Sequence, residues 1–144
     1  MLAVARIAGI QAVKNTSAII PLAHPGLPVE GCIVRVEPVH GASFTSDMIP
    51  RETNPEALRI SEAQLLSQPI GEFGGVRISV DVETTAKTGV EMEALTGVVG
   101  AALTVVDMCK SVDKGCVIEG VEIVGKRGGR SGGWDVWADV WKGE

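Results

Sequence analysis

The chain has 144 residues, a length that favours one domain with a buried hydrophobic core. Its net charge of -5 and its 3% aromatic content argue against a general nucleic-acid or membrane-surface binder. Such proteins present cationic surfaces or stacking rings, and this composition supplies few of either.

The first third of the chain predicts a helix, a loop and a strand. Apolar residues at helical spacing predict a helix over Leu2–Lys14, with no capping residue before it. The polar residues 15–17 break this pattern, and the prolines of residues 19–28 indicate a loop. Residues 29–39 alternate between apolar and polar positions and predict a strand.

The remaining elements follow a long polar insertion. Residues 40–75 are expected to form a surface excursion with a short helix over 55–66, and residues 76–85 the next strand. A long helix is predicted over about 90–112, apolar nearly all round and therefore central. Its uncharged run, residues 94–106, is shorter than the roughly 20 residues that span a bilayer. Two further strands are expected over 119–126 and 134–141, around a glycine-basic loop at 125–133.

This order predicts the α+β class, with an antiparallel sheet and helices packed on one of its faces. A ferredoxin-like sandwich would need one more strand before the first helix. The three cysteines, Cys32, Cys109 and Cys116, form no paired zinc spacing and are expected to be reduced thiols inside the cell. No metal site and no cofactor are predicted.

Charged residues stand at both ends of the long predicted helix. Glu91 and Glu93 complement the positive end of the helix dipole, which explains them without any chemistry. Asp107 opposes the dipole at the other end and shares a face with Lys110, so this pair is a candidate for mutual pKa tuning. Glu93 and Asp107 lie on similar faces but roughly 21 Å apart along the axis. They therefore serve either one long ligand or a site shared between subunits.

Two loops carry further candidate groups. His24 stands before a proline in "PLAHP", either as a turn residue bonded to the backbone or as an acid/base or ligand-binding group. The loop "GKRGGRSGG" combines Lys126, Arg127 and Arg130 with glycines, a composition suited to binding phosphate. A plain flexible turn is an equal alternative for this loop, and a short RNA-binding segment a weaker one.

Three stretches together resemble one family. "ARIAGIQAVKNTSAIIPLAHP", "KTGVEMEALTGVVGAALTVVDMCKSVD" and "GKRGGRSG" are similar to the cyclic pyranopterin monophosphate synthases of molybdenum-cofactor biosynthesis, the MoaC-type enzymes. The resemblance implies a ferredoxin-like subunit and a homohexamer, built as a trimer of dimers, with active sites at subunit interfaces. The implied reaction is a lyase reaction that converts 3',8-cyclo-7,8-dihydroguanosine triphosphate to cyclic pyranopterin monophosphate and diphosphate. It also implies a small nucleotide-derived substrate, no nucleic acid and no membrane.

The resemblance also assigns roles to residues. It implies Asp107 as the catalytic acid/base and Lys110 as a second catalytic residue. The implied substrate-binding residues are Leu22, Ala23, His24, Glu91, Met92, Glu93, Lys126 and Arg130.

Three departures from the family pattern accompany the resemblance. Ala23 stands where the family usually has cysteine, and residues 43–74 form an insertion. The family's N-terminal segment, with its first strand and another active-site lysine, is not present. We therefore expect a single domain over residues 1–144 that is truncated at its N-terminus relative to the family. Its expected location is the cytoplasm or, in a eukaryote, the mitochondrial matrix. The alternative function is a catalytically silent or partner-binding subunit of the same fold.

Overall fold

The computed structural model describes residues 1–39, 74–129 and 132–135. Its elements in chain order are α1 (Leu2–Lys14), α2 (Thr16–Ile19), β1 (Gly31–Val39), β2 (Gly75–Glu83), α3 (Glu91–Cys109), β3 (Gly125–Lys126) and β4 (Trp134–Asp135). Contacts divide the chain into two compact units, one of Met1–Glu37 with Val76–Glu122 and the other of Pro38–Gly75 with Ile123–Glu144. The insertion, its predicted helix over 55–66 and the final strand beyond residue 135 lie outside the described residues.

Strands β1 and β2 pair side by side in the first unit. The two strands are antiparallel. The Glu30 N–H donates to the Glu83 carbonyl at 2.9 Å, and Arg35, later in the chain, pairs with Asp81, which is earlier than Glu83. The predicted alternation of β1 is confirmed, because Val34 and Val36 are buried while Ile33, Arg35 and Glu37 are exposed. The antiparallel pair therefore has one apolar face.

Helices α1 and α3 cover that apolar face. The core joins Ala5 of α1, Val34 and Val36 of β1, and Ala101 of α3. The α+β class is thereby confirmed. The described strands form two separate pairs, β1–β2 and β3–β4, so the ferredoxin-like sheet remains a prediction.

Glycines bring α1 and α3 into close contact. A Cβ placed on Gly100 would lie 2.5 Å from the Ala12 Cβ, and one on Gly97 would lie 2.6 Å from a Val13 methyl group. Ordinary contacts between carbon atoms are about 3.5–4.0 Å, so neither position has room for a larger residue. This close crossing fixes the start of α3 against the end of α1, where the candidate site lies.

The prediction for α3 needs one correction. The helix is not buried all round, because Val99 and Leu103 are 38% and 56% exposed in the single chain. The most apolar 18-residue window of α3 has a mean hydropathy of 1.5, and 28% of it is buried, so the helix is long and apolar enough to cross a membrane. The core helix of a soluble protein can be equally long and apolar, and the glycine contacts of α3 with α1 are those of helix–helix packing.

Two smaller predictions are also corrected. Residues 15–17 do not simply end the helical pattern, because a single turn, α2, follows Asn15. The buried Thr16 hydroxyl donates to the Val13 carbonyl at 3.0 Å and so joins this turn to the end of α1. The strand predicted over 119–126 is present only at Gly125–Lys126, and residues 115–124 have no regular secondary structure.

Candidate functional site

The end of α1 and the start of α3 border a half-open cavity of about 190 Å³. We refer to it as the inner cavity. Three segments form its wall: the α1–α2 junction, the proline-containing loop and the first turn of α3. Its lining residues are Val13, Lys14, Thr16, Ser17, His24, Gly26, Leu27, Val29 and Glu93.

A second cavity of about 210 Å³, which we call the outer cavity, shares two residues with the first. Its lining residues are Leu22, Ala23, His24, Thr88, Gly89, Glu91, Met92 and Glu93. His24 and Glu93 line both cavities, so the two spaces meet along one boundary. All six predicted substrate-binding residues of the first unit therefore lie around one composite pocket. Their roles in binding remain predictions.

Local structure explains how the proline loop reaches this position. α2 follows α1 after Asn15, and a turn comes next in which the Ala23 N–H donates to the Ile20 carbonyl at 3.0 Å. At the far side of the loop, the Thr84 hydroxyl donates to the Pro28 carbonyl at 2.7 Å. The loop is thus bonded to its own start and to the end of β2, and His24 lies between these two attachments.

Glu93 is the most buried charged residue of the pocket, with only 5% of its surface exposed. Within the described part of the chain, its carboxylate makes no hydrogen bond or ion pair with another residue. Burying an ionised group without a partner is unfavourable. No described residue thus uses the hydrogen-bonding capacity of the Glu93 carboxyl group.

Glu91 differs from Glu93 although both line the outer cavity. Its side chain folds back over Gly89, where an added Cβ would lie 1.9 Å from a carboxylate oxygen of Glu91. Both acids also lie in the first turn of α3, so their negative charges complement the helix dipole.

Asp107 and Lys110 lie at the opposite end of α3. Lys110 donates to the Asp107 carboxylate in an i, i+3 ion pair, as the sequence spacing predicts. The Lys110 and Asp107 side chains are 65% and 69% exposed, so in the single chain the pair lies at the surface. α3 is continuous from Glu91 to Cys109, so the pair lies roughly 21 Å along the axis from Glu93.

The glycine-basic loop forms the turn of a β-hairpin in the second unit. Gly125 pairs with Asp135 and Lys126 with Trp134 in antiparallel register. Gly128, Gly129 and Gly132 have positive φ angles, which side-chain-bearing residues adopt at a cost. Lys126 lies at the start of this turn, and Arg130 lies outside the described residues.

Sequence reasoning did not single out four polar residues of the pocket. Lys14, Thr16 and Ser17 line the inner cavity, and Thr88 lines the outer one. The available signal was a lysine in the last turn of α1, followed by a polar break immediately before the proline loop. That signal alone also fits an ordinary helix terminus.

Comparison with known proteins gives consistent matches over nearly the whole chain. A cyclic pyranopterin monophosphate synthase of Chloroflexus aggregans is 40% identical over 134 residues, which are 93% of this chain and 62% of that protein. The enzymes of the same name from Corynebacterium efficiens and a Nocardioides species are 44% and 42% identical, over 94% and 92% of this chain. The alignments cover 65% and 63% of those two proteins, so the chain spans less than two thirds of these relatives' lengths.

The match to a family model covers the candidate site. The model described as the MoaC family matches residues 1–129, which include the composite pocket, the Asp107–Lys110 pair and Lys126. The matched region includes the sequence motifs whose residues line the pocket. The chain belongs to the MoaC family.

Proposed function

We propose that this chain is a cyclic pyranopterin monophosphate synthase, acting on 3',8-cyclo-7,8-dihydroguanosine triphosphate in molybdenum-cofactor biosynthesis. The observation that carries the proposal is the convergence of residues 22–24 and 91–93 on one composite pocket. These are the segments that resemble the family's substrate site, and the relatives that bear this enzyme name match over more than nine tenths of the chain.

The proposed reaction is a lyase step in which bonds rearrange without a net redox change. A hydroxyl of the sugar-derived part attacks the α-phosphorus, the bond to the β-phosphate breaks, and diphosphate leaves. His24 and Glu93 orient the substrate, while Asp107 and Lys110 transfer protons during rearrangement of the rings. Lys126, Arg127 and Arg130 bind phosphate oxygens and stabilise the charge that develops on the leaving group.

We further propose that the complete site is shared between subunits of a homohexamer. Glu93 and Asp107 lie at opposite ends of a continuous 19-residue helix, so one small reacting centre does not contact both within a chain. Exposed apolar residues on both helices, Ile7 at 61% and Leu103 at 56%, support an assembly that covers them.

The proposed compartment is a reducing one such as the cytoplasm. Free thiols at all three cysteines support it.

Diphosphate release from the cyclised nucleotide tests the proposed activity. Asp107→Asn keeps the shape of the side chain and removes a proton-transfer group, so turnover should fall by about 10²–10⁴-fold with substrate affinity retained. Asp81→Asn is the matched control, because Asp81 is an exposed acid on β2 that pairs with Arg35 away from the pocket. Equal turnover of Asp107→Asn and the parent would refute the assignment.

Mixing two inactive variants tests the shared site. If Asp107 and His24 of one site come from different subunits, then combining Asp107→Asn with His24→Ala chains should restore part of the activity. Full activity of a monomer in sedimentation would refute the shared site. A folded oligomer that binds substrate but releases no diphosphate would support the alternative of a catalytically silent subunit.

A further inference from the structure

Two of the three cysteines flank the turn that follows α3. Cys109 is the last residue of the helix, and residues 110–115 separate it from Cys116. Both are free thiols and half-buried. The proposed reaction gives neither thiol a role, although Cys109 stands between Asp107 and Lys110 in the sequence. The pair is therefore a candidate for thiol chemistry beside the proposed proton-transfer residues.

Asp113 bonds to both cysteines. Its N–H donates to the Cys109 carbonyl at 2.9 Å, an i, i+4 bond that continues the helical path by one turn. Residues so spaced share a helix face, with Cβ atoms about 5–6 Å apart. From the other side, the Cys116 thiol donates to the Asp113 carbonyl at 3.5 Å, and the Gly115 N–H donates to the Asp113 carboxylate at 2.7 Å. Both cysteines are thus neighbours of one residue.

The electrostatics of Cys116 agree with this placement. The pKa of its thiol is raised, first by desolvation, then by the Asp113 carboxylate and then by the negative charge of Cys109. A raised pKa lowers the fraction of reactive thiolate at neutral pH. Cys116 is therefore better suited to an intramolecular step, in which proximity compensates for a small thiolate fraction, than to attack on a dissolved oxidant.

The bonds that the two thiols make are weak. The Cys109 thiol donates to the Met1 thioether at 3.1 Å, and the Cys116 thiol donates to a carbonyl. A thiol is a weak donor and a thioether a weak acceptor. Residues 113–116 have no regular secondary structure, so they can move the Cys116 sulfur to within a disulfide bond length of about 2.05 Å of Cys109.

We propose that Cys109 and Cys116 form a reversible disulfide that switches off the site at this end of α3. The bond closes a ring of residues 109–116 that contains Lys110 and leaves Asp107 outside. In the reduced chain Lys110 donates to the Asp107 carboxylate. The ring restrains the backbone at Lys110 and draws its ammonium away from that carboxylate. The effect on turnover rests on the proposed function, whereas formation of the disulfide does not.

Glutathione disulfide is the oxidant. The Cys109 thiolate attacks one of its sulfurs, a mixed disulfide forms, and one glutathione thiolate leaves. The Cys116 thiolate then attacks the Cys109 sulfur and displaces the second glutathione thiolate. The two leaving thiolates take up the two protons that the cysteines lost, so two thiols are oxidised and one disulfide is reduced. Excess reduced glutathione reverses both steps, as expected of a redox-sensing disulfide in a reducing compartment.

Peptide mapping tests the disulfide without any catalysis. Trypsin cleaves after Lys110 and Lys114, so it places Cys109 on residues 88–110, Cys116 on residues 115–126 and Cys32 on residues 15–35. After treatment of the folded protein with glutathione disulfide, the first two peptides should be joined and should separate on reduction with dithiothreitol. Non-reducing electrophoresis should show a single chain. Glutathione adducts alone, a bond to Cys32 or a bond between chains would overturn the proposal.

Variants test the effect on turnover. The oxidised parent should release diphosphate at least about tenfold more slowly than the reduced parent and recover in dithiothreitol, because the proton-transfer pair is separated. Cys116→Ser keeps a donor to the Asp113 carbonyl but cannot close the ring, so it should keep its turnover in the oxidant. Cys109→Ser should do the same. Cys32→Ala is the matched control, since it retains both thiols of the ring and should be inactivated like the parent. Circular dichroism checks that each variant is folded.

The outcomes separate failure of the switch from failure of the proposed reaction. Equal loss of turnover in the parent and in Cys116→Ser would refute the switch, because an adduct on Cys109 would then be sufficient. A ring that forms without loss of turnover would refute it as well. Absence of diphosphate release by the reduced parent would instead refute the synthase reaction, and the peptide map would still decide whether the disulfide forms.

Discussion

Substituting Gly100 by alanine tests the close packing of α1 against α3, which brings the end of α1 and the start of α3 together at the pocket. The new Cβ would lie 2.5 Å from the Ala12 Cβ and 3.4 Å from the Ala8 carbonyl oxygen. A Cβ is fixed to the backbone, so the clash with Ala12 is relieved only if α1 and α3 move apart by about 1 Å.

Two opposing terms set the size of the effect. Alanine is favoured over glycine inside a helix by about 1 kcal/mol. Overpacking costs typically about 1–3 kcal/mol, and a contact between two Cβ atoms falls at the upper end because neither side chain has a rotamer to change. The expected net loss in the free energy of unfolding is about 2 kcal/mol. At about 3–4 °C for each kcal/mol, the melting temperature falls by about 6–8 °C.

Urea and thermal unfolding, followed by circular dichroism, measure this loss. The matched control is the double variant Gly100→Ala with Ala12→Gly, which removes the Cβ that the new methyl group meets. The two helix propensity terms then cancel, so the double variant should regain a stability close to that of the parent. Ala12→Gly alone should cost only about 1 kcal/mol.

An unchanged or raised stability of Gly100→Ala would refute this reasoning, because it would show that the helices are not in close contact at Gly100. Failure of Ala12→Gly to rescue the substitution would place the strain elsewhere. A shift of α3 should also disturb the pocket at its N-terminus, so we expect nucleotide binding to weaken in Gly100→Ala and to recover in the double variant.

Three further predictions concern single side chains. Thr16→Val should lower the free energy of unfolding, measured in urea, by about 1 kcal/mol, because the hydroxyl and its 3.0 Å bond to the Val13 carbonyl are lost. Thr16→Ser keeps the hydroxyl and should therefore retain the contribution of this hydrogen bond. Asp81→Asn should cost less than about 1 kcal/mol, since the ion pair with Arg35 is exposed, and a loss above 2 kcal/mol would contradict this. Burial raises the pKa of the Cys32 thiol, so at pH 8 iodoacetamide should modify it more slowly in the folded chain than in urea, and equal rates would refute this expectation.

The sequence by itself was sufficient for the local elements with strong periodicity. α1 has the predicted bounds, Leu2–Lys14, because its apolar spacing and last-turn lysine mark the helix clearly. The inward residues of β1 follow from the alternation of side chains along an extended chain. The family resemblance of the proline loop and of the first turn of α3 also singled out six of the residues that line the composite pocket.

Local patterns could not predict features that depend on distant contacts. Residues 119–124 were predicted to be part of a strand but have no regular structure, since pairing requires a neighbouring edge that sequence spacing does not specify. Likewise, the apolar composition of α3 predicted burial on every side, whereas in the single chain Ala101 and Ala102 are buried and Val99 and Leu103 are exposed.

The chemistry of Glu93 illustrates the difference most directly. Its sequence position explains it fully as an acid at a helix start, which favours a negative charge whether or not the side chain is exposed. The tertiary structure decided that this carboxylate is buried beside Lys14 in a cavity, because the glycine-mediated crossing of α1 and α3 brings two helix ends together. Burial and the identity of neighbouring groups determine whether a charge is solvated or available to a ligand, and both come from residues distant in the chain.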